Sequence, residues 1–136
     1  MGLAERRAAK NFETSHFPKL RKEVEDAAGF AMPVDVDWDS LTTEGESHLY
    51  GECWPKVYFE PLAHAFRDIC VDEMGKEALK KGLKRIRIQN KLNVYSGESC
   101  ASFESGVLTI DHLPTSNVDD VNLRSRGIQK MLEAAL

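Results

Sequence analysis

From residue 84 to 112 apolar and polar residues alternate in short runs. Ile86 and Ile88 alternate with Arg85, Arg87 and Gln89, and Leu92 and Val94 keep the same parity. Ala101 and Phe103 alternate with Cys100, Ser102 and Glu104, and Leu108 and Ile110 with Val107, Thr109 and Asp111. A period of two predicts half-buried strands. Ser105-Gly106 separates the last two runs, where glycine supplies the positive φ of a tight turn. A two-residue turn there pairs Phe103 with Leu108, Ala101 with Ile110 and Ser99 with His112. A slip of one residue would set Phe103 and Leu108 on opposite faces, so the register is well specified. With Ser96-Gly97-Glu98 as a second turn, the pattern predicts an antiparallel meander of three strands whose apolar face requires cover.

Val34, Val36 and Trp38 alternate with Asp35, Asp37 and Asp39, predicting a strand with one acidic face. Thr42-Thr43-Glu44-Gly45-Glu46 reads as a turn and residues 48–54 as the returning strand of a hairpin, interrupted by Gly51. Elsewhere the spacing is helical. A short polar helix is expected over residues 3–13. Pro18 suits the first turn of a second helix, which carries Leu20, Val24, Ala27 and Ala28 and stops at Gly29. From Pro61 a stripe of Leu62, Phe66, Ile69, Cys70, Met74, Ala78 and Leu79 runs to Gly82, with a kink or two abutting helices near Val71 and Gly75. Ser116 with Asp119 resembles a capping box. It precedes a C-terminal helix carrying Val118, Val121, Ser125, Ile128, Leu132 and Ala135. The expectation is a single α+β domain over residues 1–136 with a mainly antiparallel sheet. An N-terminal hairpin and a C-terminal three-strand meander would form it, with helices packed on one face.

Size changes little in this picture: 136 residues suit one domain that needs no disulfide or metal to fold. The net charge of −4 gives no global attraction to nucleic acid or anionic membrane. Cys53, Cys70 and Cys100 are odd in number and far apart, which argues against a disulfide framework and for a reducing compartment. The charged first residues do not read as a signal peptide, Arg6 stands where a myristoylation motif needs Ser or Thr, and no apolar run reaches membrane length. A cytoplasmic protein without membrane contact is expected.

Candidate chemistry is sparse. Asp35, Asp37, Asp39 and Glu46 match the acidic positions of a calcium loop, but Ser40 replaces the turn glycine and Pro33 blocks an entering helix, so a solvated acidic strand is the plainer reading. His64 lies four residues from both Glu60 and Asp68, a spacing that places a carboxylate beside an imidazole for acid–base work, or simply decorates a solvated helix face. Cys100 and His112 suggest a thiol–imidazole pair, but the expected register sets them on opposite sheet faces, while Cys53 and Cys70 read as small core residues. Lys76, Lys80, Lys81, Lys84, Arg85, Arg87 and Lys91 form a basic run, with Tyr95 on the parity of the arginines. Basic side chains beside an aromatic suit single-stranded nucleic acid, yet the chain as a whole is acidic and lacks an RNP-like aromatic pair. No nucleotide loop, nucleophile elbow or zinc spacing is present.

The sequence therefore assigns no metal and no cofactor. The leading expectation is a small binding or interaction protein, a class that includes regulatory proteins, lacking its own catalytic centre. The alternatives are an enzyme or ligand-binding domain with a pocket near Trp54, His64 and His112, catalysed by His64, Asp68 or His112, and a nucleic-acid binder using residues 76–91. Trp54, Arg85, Arg87 and Tyr95 are the candidate ligand-binding side chains. Acids cluster over residues 35–60 and bases over 76–91. That split, with the apolar stripe of the last helix, suggests a twofold homodimer, unless the two strands neutralise each other within one sheet.

Overall fold

The computed structural model describes residues 2–136. Two helices open the chain, α1 (Leu3–Ser15) and α2 (Phe17–Ala28). Pro18 sits in the first turn of α2, and Gly29 at φ 87° closes it, donating its N–H to the Glu25 carbonyl at 2.8 Å. The strand β1 (Val34–Val36) follows, then the short helix α3 (Trp38–Leu41) and a 3-10 turn (Ser47–Leu49). A long helical rod comes next, made of α4 (Tyr50–Trp54), a π-helical turn (Pro55–Phe59) and α5 (Glu60–Ile69). Helix α6 (Glu73–Gly82) abuts α5 and leads into β2 (Arg85–Gln89). The chain ends with β3 (Ala101–Glu104), β4 (Val107–Asp111) and α7 (Val121–Ala135). The fold is α+β, as the alternation of patterns implies.

The sheet has four strands in the order β1-β2-β4-β3. β3 and β4 form the expected hairpin, with Ala101 opposite Ile110 and Phe103 opposite Leu108. Ser105 at φ 53° and Gly106 at φ 82° give the two positive φ values that a type I′ turn requires. The expected meander, however, is not formed. β2 runs parallel to β4, with Ile86 opposite Leu108 and Ile88 opposite Ile110, and β1 runs parallel to β2. The sheet is therefore mixed rather than mainly antiparallel. The cause lies at the end of β2. The Asp111 carboxylate accepts the N–H groups of Lys91 and Leu92 at 3.0 and 3.1 Å, and Asn93 takes φ 54°. The strand stops at Gln89, Leu92 is left 74% exposed, and residues 90–100 carry the chain past β4 to the far edge.

The N-terminal hairpin is also corrected. Asp37 accepts the Ser40 N–H at 3.3 Å and its carbonyl takes the Ser40 hydroxyl at 2.7 Å, so the chain leaves β1 as helix α3 with Trp38 inside it. Residues 48–54 are helical, not a returning strand. Buried Tyr50, Cys53, Trp54, Val57, Leu62, Ala65, Phe66 and Ile69 extend one helical stripe through both Pro55 and Pro61. Pro55 has no N–H for the carbonyl of Gly51, nor Pro61 for that of Val57. The π turn, where the Glu60 N–H reaches the Pro55 carbonyl, absorbs the defect without ending the rod. Ser116 and Asp119 form no capping box, since α7 begins at Val121 with Asp120 as its N-cap.

The inner sheet face, with Val34, Ile86, Ile88, Leu108 and Ile110 buried, packs on the helices. Trp54 lies deep in an aromatic group, stacked on Tyr50 at 4.1 Å and edge-on to Phe12 at 5.0 Å. The outer face carries exposed Arg85, Arg87, Ser102 and Glu104. There the acidic and basic strands are neighbours: Arg85 pairs with Asp35, and Lys91 with Asp37 at 3.4 Å. Part of the charge split that suggests a dimer is thus met inside one sheet. Among the described residues, no helix is long and apolar enough to cross a membrane.

Candidate functional site

The residues singled out by sequence are dispersed. Trp54 and His112 have no exposed surface, while His64 is exposed on α5, so the expected pocket joining these three is not formed. Tyr95 is exposed in the loop before β3. Arg85 and Arg87 point out from β2, Arg85 into its pair with Asp35 and Arg87 without an ion pair among the described residues. The basic run is divided, with Lys76, Lys80 and Lys81 on α6 in the helical layer and the arginines on the outer sheet face. The acids of the calcium-like stretch are spread over β1 and α3, with Asp35 and Asp37 engaged by Arg85 and Lys91.

Cys100 precedes β3 and stands beside Asp111, whose N–H its carbonyl accepts at 2.8 Å; its buried Sγ lies 3.4 Å from the Gly97 carbonyl, and no hydrogen bond joins it to His112 among the described residues. Tyr58, placed by the π turn, donates its hydroxyl to the His112 carbonyl at 2.6 Å. Arg124, fully buried on α7, donates to the carbonyls of Asn117 and Val118 at 2.6 Å each and of Lys56 at 3.1 Å. His112 Nδ1 lies 2.6 Å from the Leu113 carbonyl and must carry the proton, which leaves Nε2 bare, buried and without a partner. Burial pushes the Cys100 thiol up to about 11, so no thiolate is available near neutral pH. Burial, then the charge of Asp111, raises the Tyr58 hydroxyl well above its usual range. These groups are bound to the chain's own backbone.

The buried imidazole makes stability depend on pH. Desolvation, helped by the Arg124 charge, lowers the His112 pKa, against the opposing Leu113 hydrogen bond and Asp111. The unfolded chain therefore binds a proton more readily. The contribution of neutral His112 is complete above about pH 6.5 and is lost as pH falls from there toward the lower folded-state value. Urea denaturation between pH 5 and 8 is expected to show stability falling below pH 6.5 in the wild type and a flatter profile in His112→Gln. Equal slopes in both would contradict this assignment.

A second constellation lies on the surface between α5 and α7, two closely packed helices. His64, Arg67 and Asp68 are spaced i, i+3, i+4 on α5, and Asn122, Ser125 and Arg126 repeat that spacing on α7. Each triple therefore occupies one helix face. Together they line a polar groove of about 460 Å³. Ser125 is only 4% exposed, and among the described residues its hydroxyl makes no hydrogen bond. Arg67 and Arg126 have no ion pair among the described residues, and Asp68 pairs with neither. A neighbouring depression of about 500 Å³ between α2, α5 and α6 is lined by Glu23, Asp26, Arg67, Lys76 and Lys80. Two of its charges are engaged outside it, Asp26 with Lys22 and Lys76 with Glu73.

Sequence reasoning found His64 and Asp68 but missed Arg67, Asn122, Ser125 and Arg126. The signal was Ser125 itself, a hydroxyl standing in an otherwise apolar helical stripe. Glu60, expected beside His64, does not line the groove. Comparison with known protein families, with characterised proteins and with solved structures finds none that matches this chain.

Proposed function

We propose that this protein acts by binding a ligand or partner and has no catalytic centre of its own. The observation that supports this reading is the commitment of its buried reactive groups. The Tyr58 hydroxyl, His112 Nδ1, the Cys100 thiol and the Arg124 guanidinium are each held against backbone carbonyls. A catalytic group needs hydrogen-bond reach to a substrate, and these have none. A surface open to recognition is the α5–α7 groove, where Arg67 and Arg126 are without an ion pair among the described residues. The test is a turnover screen with general esterase, phosphatase, peptidase and glycosidase substrates, run on wild type and His64→Ala. No activity separating the two is expected. Turnover that His64→Ala removes would overturn the proposal in favour of an enzyme built on the same groove.

A further inference from the structure

We infer that the α5–α7 groove holds the phosphoryl group of a small organic phosphate, an inference that rests on the binding reading above. The pairs Arg21 with Glu25, Lys22 with Asp26 and Lys56 with Asp119 lie elsewhere, and Arg67 and Arg126 have no ion pair among the described residues. They face one groove from two helices, so their guanidiniums approach a ligand from opposite walls. Guanidinium groups bind oxyanions through two parallel N–H donors. Ser125 lines the groove with its hydroxyl, which makes no hydrogen bond within the chain among the described residues and so can donate to a ligand. The Asn122 amide adds a further donor.

Donors arriving from two walls suit a tetrahedral oxyanion, whose oxygens point in several directions, better than a planar carboxylate, which one guanidinium already satisfies. Asp68 refines the choice. Its carboxylate repels a free phosphate dianion but accepts a hydrogen bond from a hydroxyl, so a phosphate ester carrying hydroxyl groups fits better than inorganic phosphate. A groove of about 460 Å³ lies within the range of small-molecule sites. Because both walls are helices packed on each other, the donors are held on a rigid platform.

The test is titration of the intact protein, by calorimetry and by amide chemical shifts, with inorganic phosphate and with ribose 5-phosphate. Saturable binding of both is expected, the sugar phosphate binding more tightly, with the largest shifts at α5 and the first half of α7. Arg67→Gln and Arg126→Gln should each weaken binding at least about tenfold, the value of a lost charged hydrogen bond. Ser125→Ala should weaken it less, and Asp68→Asn should tighten inorganic phosphate and narrow the preference for the ester. Arg67→Gln, Arg126→Gln and Asp68→Asn, at exposed positions, should keep the wild-type melting temperature to within about 3 °C, since surface substitutions change stability little. No saturable binding of either ligand, or binding that both arginine variants leave unchanged, would overturn the inference. That result leaves the non-catalytic reading intact. Hydrolysis of ribose 5-phosphate dependent on His64 would do the reverse, removing the non-catalytic reading while keeping the phosphate site.

Discussion

Arg124→Ala is expected to lower the unfolding free energy by about 3–5 kcal/mol, the combined cost of leaving buried carbonyls unpaired and opening a cavity. The guanidinium is fully buried and joins three carbonyls, those of Asn117 and Val118 ahead of α7 and that of Lys56 in the π turn. One side chain thereby ties the connection after β4 to the middle of the helical rod. Its removal leaves a cavity and frees that connection. For a domain of this size the loss corresponds to a melting temperature lower by roughly 10–15 °C. Arg124→Lys should not recover it, because an ammonium on a thinner stem cannot serve carbonyls in three places. Urea denaturation and calorimetry measure both quantities, and limited proteolysis should cut residues 113–120 faster in the variant. A loss below about 1 kcal/mol, typical of an exposed charge pair, would contradict the structural role.

The second large effect is expected at Gly127, where two physical terms oppose each other. Alanine is favoured over glycine within a helix by about 1 kcal/mol, and Gly127 lies inside α7. A Cβ there, however, would stand 2.4 Å from the Gly97 carbonyl oxygen. Neither neighbour yields easily. The Gly97 carbonyl receives the Cys100 thiol, and a Cβ on Gly97 would itself meet the Arg124 N at 2.9 Å. The loop and the helix touch backbone to backbone, so the clash prevails and Gly127→Ala should destabilise by about 1–3 kcal/mol, the range for overpacking a core. Gly51→Ala is the contrast. It lies in α4 with nothing within 4 Å of the added carbon, so only the propensity term acts and a gain of up to about 1 kcal/mol is expected. Opposite signs at the two glycines are the result to look for, and a stabilising Gly127→Ala would refute the close contact.

Local chemistry was enough to establish several features. The alternation around Ser105-Gly106 set the β3–β4 register, because a period of two ties every side chain to one face and a slip exposes them all. Pro18 and Gly29 marked the ends of α2 through backbone geometry that needs no tertiary partner. The inward set Ile86, Ile88, Leu108 and Ile110 was legible for the same reason. Strand direction was not, since parity is identical for parallel and antiparallel neighbours. That choice was made by the Asp111 carboxylate taking two backbone N–H groups from residues distant in sequence. Residues 48–54 were misread as a strand because each proline looks like a stop, and only packing of Trp54, Val57 and Tyr58 into the core repays the π turn that carries the helix through. The groove was half visible. His64 and Asp68 share one helix and are joined by spacing, whereas Arg67 meets Asn122, Ser125 and Arg126 only because α5 and α7 pack together. A helix periodicity says which residues share a face, and tertiary structure alone decides which two faces meet.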